Sequence, residues 1–340
     1  MLIELNSPCS LPLGAARMET KPGAATSLLG LTLKFPLVQL AAQKRPGGLY
    51  VTGPRAHLAH QQAERYLAHH HLDRQAEIEI EWAIPNHMGL GSEPLLGLSV
   101  ARASAWITDG DVNDTPALAQ AIGLGSEHAP AVWGFHQGGL LLVAGEGEAG
   151  QLPPVLRRAS IEHNDKDKDW AFVLFLPYAP DDVSPTLEAD RLAALLRAAP
   201  RLPADAGRLV AEQLWPAVEQ DDIGAFAQAL MALEQMNREA LAQAGTAVTI
   251  APDHQAILDL MRANGALAWG QSLTGLALYG LVRGAEASRE LRRKIMAHVG
   301  HFGGTLLASI TDNTGARHKV KDERLEDARL KPIKRVNPNS

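Results

Sequence analysis

The stretch from Ala76 to Ala103 constrains this chain more than any other. It opens with Ala76-Glu-Ile-Glu-Ile-Glu-Trp-Ala83, in which Ile78, Ile80 and Trp82 share one face and glutamates take the other. That alternation is the period of a half-buried strand. Ile84-Pro-Asn-His-Met-Gly-Leu-Gly-Ser92 follows, and then an apolar run whose helix is expected to begin near Pro94, a residue favoured in a first helical turn. A strand, a glycine-rich loop and a helix in this order turn unpaired N–H groups and the positive end of a helix dipole toward one point. An anion such as phosphate is stabilised there. Gly89 and Gly91 let the backbone curl close to a ligand. A tight turn with no ligand uses the same residues.

What surrounds this unit is a chain of 340 residues, 46% of them apolar. That is enough for two domains sharing an extensive interface. The net charge of −6 supplies no basic field for nucleic acid. The single cysteine, Cys9, leaves no internal disulfide and fits a reducing cytoplasm. Met1-Leu-Ile-Glu-Leu5 lacks a basic signal-peptide start. Apolar runs fall short of the roughly 18 residues of a membrane span, so neither membrane nor nucleic acid is an expected partner.

Residues 31–35 and 37–40 read as short strands broken at Pro36, and 54–71 as a helix with Leu58, Ala63 and Tyr66 on one side. The helix after the glycine loop runs to about Thr108, and another is expected over 115–122. Strands are expected at 140–144 and 171–176. Beyond Pro180, alanine- and leucine-rich helices cover 187–199, 204–219, 222–244 and 252–264. A glycine-rich loop at 268–275, a strand at 276–282, a helix at 285–298 and a strand at 304–310 complete the pattern. This mixture argues for a two-layer α+β fold. Its expected division is a domain over 1–170, with the boundary near 165–180, a second over 171–316, and a charged mobile tail over 317–340.

Pro85-Asn-His-Met-Gly-Leu-Gly-Ser92 resembles the phosphate loop of the GHMP kinase superfamily. The Gly-Lys-Ser/Thr ending of a Walker A loop is missing, as is the acidic ribose ligand of a Rossmann loop. Three further segments narrow the resemblance: Gly123-Leu-Gly-Ser to Gly138-Gly139, Asp169-Trp-Ala-Phe-Val-Leu-Phe-Leu-Pro177, and Gly270-Gln-Ser-Leu-Thr-Gly-Leu-Ala-Leu-Tyr279. Together they are similar to β-ribofuranosylaminobenzene 5′-phosphate synthases. The resemblance implies a two-domain GHMP fold, with an S5-like N-terminal and a ferredoxin-like C-terminal domain. It also implies condensation of phosphoribosyl pyrophosphate with 4-hydroxy- or 4-aminobenzoate, releasing pyrophosphate and carbon dioxide, in methanopterin-type C1-carrier synthesis. Such a site holds phosphate groups, and Mg²⁺ steadies the leaving pyrophosphate.

The chain departs from that family where the family binds phosphate. Leu124 stands where arginine is usual, His128 where serine is, and Ser7-Pro-Cys-Ser-Leu-Pro12 where Arg-Leu-His is. In the third loop Leu273, Thr274 and Leu276 replace Ser, Trp and Pro. Leucine cannot supply the bidentate contact of a guanidinium. A small-molecule kinase of the superfamily is the alternative, and a non-catalytic phosphate- or nucleotide-binding relative another. Kinases use an aspartate near the second glycine segment; here no Asp lies between Asp114 and Asp165 and no Lys between Lys44 and Lys166.

The candidate residues follow. Gly89, Leu90, Gly91 and Ser92 are expected to bind phosphate, with Ser92 and Glu93 as ligands to Mg²⁺. Ser92 serves equally as a helix cap and Glu93 as dipole compensation. His87, His128 and Glu93 are the catalytic candidates, and a protonated His128 is expected to replace lost positive charge as pH falls toward about 6.5. Asn86, Gln271 and Ser272 are expected to line a substrate pocket. The partner expected is a small phosphorylated molecule; a homodimer stays open. His69-His-His71 reads as a solvated helix end, and the polar run 163–169 as a turn.

Overall fold

The computed structural model describes residues 1–20, 23–147, 151–179, 183–184, 186–246, 248–299 and 303–322. Its frame is one long antiparallel hairpin, β1 (Leu2–Thr20) and β2 (Gly23–Lys44). The short strands expected at 31–35 and 37–40 are parts of β2. Pro36 does not end the strand, because the register with β1 shifts between Pro8 and Cys9, where Leu37 and Leu33 are the partners on either side. A shift of this kind bends a strand without terminating it. The two halves of β2 thereby serve different neighbours. Residues 39–44 pair with β4 (Gln75–Trp82), and residues 27–31 pair with β5 (Leu140–Ala144).

Two further strands extend this first sheet. β3 (Gly48–Thr52) lies parallel to β4, joined to it through helix α1 (Ala56–His69), and β6 (Val155–Ala159) pairs with β5. Both escape a reading by hydrophobic pattern: β3 is short and half-exposed, and β6 carries Arg157 and Arg158 at its centre. The tail is also corrected in part. β11 (Arg317–Lys321) pairs antiparallel with Leu2–Asn6 of β1, so the chain returns to the first sheet instead of trailing off at 317. The rest of the expected tail, 323–340, lies outside the described residues. Trp82 is corrected too. A bulge places Leu40 opposite Ile80 but Gln39 opposite Trp82. The extra residue, Glu81, moves Trp82 off the face of Ile78 and Ile80, leaving it 52% exposed.

Against this sheet lies α2 (Ser92–Ile107), apolar nearly all round and buried nearly all round. α3 (Thr115–Ala121) and α4 (Ala129–Gln137) pack beside it. The second sheet has the order β10 (Gly304–Ser309), β7 (Trp170–Pro177), β9 (Leu278–Arg283), β8 (Ala268–Gln271). β7 is buried along its whole length, and its two faces divide the core. Ala171, Val173 and Phe175 pack with Ile257, Met261, Leu291 and Ile295, residues of α9 (Pro252–Ala263) and α10 (Ala285–Val299). Trp170, Phe172 and Leu174 join the larger core, which continues through α8 (Ile223–Gln243) to the first sheet. One core therefore spans both sheets. α5 (Leu187–Ala198), α6 (Ala204–Leu209) and α7 (Trp215–Glu219) complete the helices over 187–219.

Candidate functional site

The 85–91 loop joins β4 to α2, as the sequence pattern requires. Its shape needs left-handed backbone at several points: φ is +66° at His87, +68° at Gly89 and +73° at Gly91. Gly91 is the N-cap of α2 and its carbonyl accepts from Leu95 N at 3.1 Å. No side chain caps this helix, so Ser92 does not act as the cap that an isolated helix start would recruit. The first N–H groups of α2 have no acceptors within the helix and are oriented toward the loop.

The loop is held from behind by the third glycine segment. Leu276 N donates to His87 O at 2.7 Å, Ala277 N to Met88 O at 3.1 Å, and Ser272 Oγ to Gly89 O at 3.0 Å. The approach is close enough to demand glycine on both sides. A Cβ on Gly275 would lie 2.0 Å from Gly89 N, and one on Gly89 would lie 2.5 Å from Gly275 N. Ser10 N, from the departing N-terminal motif, donates to Leu90 O at 3.1 Å. Further back, Gln271 Nε2 and Arg191 Nη1 donate to Gly275 O at 2.8 and 2.7 Å. Arg238 Nη2 donates to Gln271 O at 3.1 Å and pairs with Glu234, which also accepts from Tyr279 OH at 2.6 Å. The ridge behind the loop is thus tied to the core of the second sheet.

In front of the loop is a cavity of about 450 Å³. Asn86, His87, Gly89, Gly91, Ser92, Glu93 and His128 all line it, so most of the candidate residues converge on one space. Leu90 is corrected: it is fully buried and does not line the cavity, and its carbonyl is taken by Ser10 N. Gln271 and Ser272 are corrected: both are buried in the ridge, at 1% and 0% exposure, and support the loop without lining the cavity. Thr274 lines it in their place. Leu124 is elsewhere, in a separate cleft with Gly123 and Trp133.

Sequence reasoning missed Arg55, Glu127 and Glu188, which also line the cavity. Arg55 precedes α1 with φ +60° and is distant from the 85–91 loop in sequence, so only the β3–α1–β4 crossover brings it in. Glu188 arrives from α5 of the second half. No local motif signals either. Burial pushes the Arg55 guanidinium down from its ordinary range, with Glu188 and Glu93 opposing. Burial pushes the Glu188 carboxyl up, opposed by the backbone N–H groups of Gly89 and His87 and by Arg55.

His128 is corrected in its charge. Burial lowers its pKa, against the pull of Glu127 and Glu93. It is therefore neutral near pH 7 and does not replace a lost arginine. As for a metal, no group of three or more His, Cys, Asp or Glu side chains capable of holding one occurs among the described residues. Ser92 and Glu93 offer a hydroxyl and a carboxylate beside the loop. That donor set suits Mg²⁺, which takes one or two protein ligands and completes its shell with substrate phosphates and water.

The architecture has known counterparts. The homoserine kinase of Cytophaga hutchinsonii is similar at TM-score 0.60 and 16% identity, with 94% of this chain and 97% of that one covered. The fold is that of the GHMP kinases. 4-(Cytidine 5′-diphospho)-2C-methyl-D-erythritol kinase is similar at TM-score 0.58 and 19% identity, covering 91% and 98%. The mevalonate diphosphate decarboxylase of Staphylococcus aureus follows at TM-score 0.61 and 12% identity, covering 94% and 99%. No family model and no curated sequence matches the chain. No helix among the described residues is long and apolar enough to cross a membrane.

Proposed function

We propose that the chain is a GHMP-type transferase that holds a polyphosphate-bearing substrate, with Mg²⁺, on the 87–92 loop. The observation that carries this is the loop itself: left-handed His87, Gly89 and Gly91 at the start of a helix without a side-chain cap, opening on a cavity of ligand size. The likeness to GHMP kinases supports phosphoryl transfer from ATP to a small acceptor, and one neighbouring structure holds AMPPCP and magnesium. In that reading the loop and Mg²⁺ neutralise the phosphates, and a cavity carboxylate such as Glu127 takes the acceptor proton.

A second reading has a specific observation behind it. Among the described residues lining the cavity there is neither Asp nor Lys, and both belong to the usual kinase arrangement. Phosphoribosyl transfer to an aromatic acid such as 4-hydroxybenzoate, in which the acceptor loses carbon dioxide instead of a proton as pyrophosphate leaves, needs phosphate contacts and a cation but no such base. The four matched segments support it. The two are separated by product: ADP formation with candidate alcohols, against pyrophosphate release from phosphoribosyl pyrophosphate and a panel of benzoates, both with Mg²⁺. Neither product from well-folded protein would rule out both chemistries and leave a non-catalytic binder.

A further inference from the structure

The cavity holds two charged groups that are each only half engaged. Glu188 is in the first turn of α5 and lines the cavity together with His87 and Gly89. Its Oε1 is buried with no hydrogen-bond partner among the described residues. The same is true of Nη1 of Arg55, which lines the same cavity. Buried polar atoms are nearly always satisfied, and an orphan of each sign in one cavity calls for an explanation. A carboxylate in the cavity of a phosphate loop stands where an anion is stabilised.

We propose that Arg55 is a binding residue for an anionic group of the substrate and that Glu188 is its built-in competitor for the same seat. This rests on the reading of the 87–92 loop as a phosphate binder. A phosphate has more acceptor oxygens than a carboxylate and can take both a loop N–H and the fork of the guanidinium. Once it does, Glu188 has lost its partners and must turn away, since two anions cannot share one seat. α5 can accommodate that turn. Its buried residues, Ala194, Leu195 and Ala198, are all in its second half, and its N-cap residue Thr186 makes no side-chain cap. Arg191, one turn on, stays fixed to Gly275 O.

The two residues make predictions of opposite sign. The probe is inorganic pyrophosphate with Mg²⁺, titrated calorimetrically, because it carries neither nucleoside nor ribose. Arg55→Gln should weaken its binding at least tenfold, with Arg55→Lys, which keeps the charge but not the fork, recovering part of the loss. Glu188→Gln keeps length and polarity but removes the charge, and should tighten binding severalfold. Weaker binding in Glu188→Gln would make Glu188 a ligand, directly or through the metal, and overturn the proposal. Unchanged affinity in Arg55→Gln would overturn it as well. If Gly91→Val abolishes binding while both of these variants match the unaltered protein, the phosphate loop stands and only this proposal falls. Absence of pyrophosphate binding in every form, Glu188→Gln included, would remove both.

Discussion

The tetrapeptide Gly-Leu-Gly-Ser occurs twice, at 89–92 and at 123–126, and the two copies fold differently. In the first, both glycines are left-handed, and the serine opens α2, a helix of 16 residues. In the second, Gly123 is left-handed but Gly125 is extended with φ −85°, and Ser126 opens a 3₁₀ turn of three residues. A Cβ on Gly89 would strike the backbone of Gly275, whereas one on Gly123 would meet nothing within 4 Å. The same four residues thus make a rigid, backed loop in one place and an open turn in the other. The difference lies in context. The first copy has a strand before it, a long buried helix after it, and the 272–277 ridge behind it; the second has a short helix, α3, before it and, among the described residues, no backbone ridge hydrogen-bonded to it. A glycine motif marks where a phosphate loop is permitted, and tertiary packing decides whether one is built.

That contrast can be broken by substitution. The largest effect is expected at the contact that only the first copy has. Gly275→Ala would push a methyl group to 2.0 Å from Gly89 N and 2.1 Å from Met88 C. Backbone on both sides leaves no flexible atom to yield, so a loss of about 2–3 kcal/mol is expected. Urea denaturation should show a lower midpoint at unchanged slope. An unchanged midpoint would mean the ridge does not clamp the loop.

Gly91→Val tests the ligand side of the same loop. Its nearest neighbours would be side chains, Leu95 Cδ1 at 3.0 Å and Ser10 Cβ at 3.5 Å. A β-branched residue at φ +73° nevertheless strains the backbone, so stability falls along with the loop's approach to a ligand, and affinity is read on protein shown to be folded. Phosphate-ligand affinity should fall at least tenfold, about 1.4 kcal/mol. Gly123→Ala is the matched control in the second copy. Holding alanine at φ +76° costs about 1 kcal/mol of stability, with ligand affinity untouched. A binding loss there equal to that of Gly91→Val would erase the distinction between the two copies.

The smallest effect concerns pH. The pKa of His128 is lower in the folded protein than its unfolded value of about 6.5. The unfolded chain then binds more protons between those two values, so stability falls as pH drops below about 6.5, until the folded pKa is passed. His128→Gln should flatten that part of the profile, read as the thermal midpoint between pH 7 and 5. A profile as steep in the variant as in the unaltered protein would place the titration elsewhere.

How legible was this site? The strand, loop and helix over 75–107 were readable because their periodicity and glycines are local. The helices beyond 187 were readable for the same reason. What escaped depends on distant partners. β11 shows no hydrophobic alternation and exists because β1 offers it an edge. Trp82 changes face because one bulge absorbs Glu81. Gln271 and Ser272 sounded like pocket residues, yet the close meeting of Gly89 and Gly275 turns them inward. Arg55 and Glu188 carry charge into the cavity from separate halves of the chain, and no spacing rule connects them.

Phosphate binding by the 87–92 loop can be measured directly. Calorimetric titration of the unaltered protein with ATP and with phosphoribosyl pyrophosphate, each with Mg²⁺, does so when repeated on Gly91→Val and Gly123→Ala. Saturable binding of at least one ligand is predicted, weakened at least tenfold by Gly91→Val and unchanged by Gly123→Ala. Binding of neither ligand, or equal affinity in Gly91→Val with its fold intact, would contradict it.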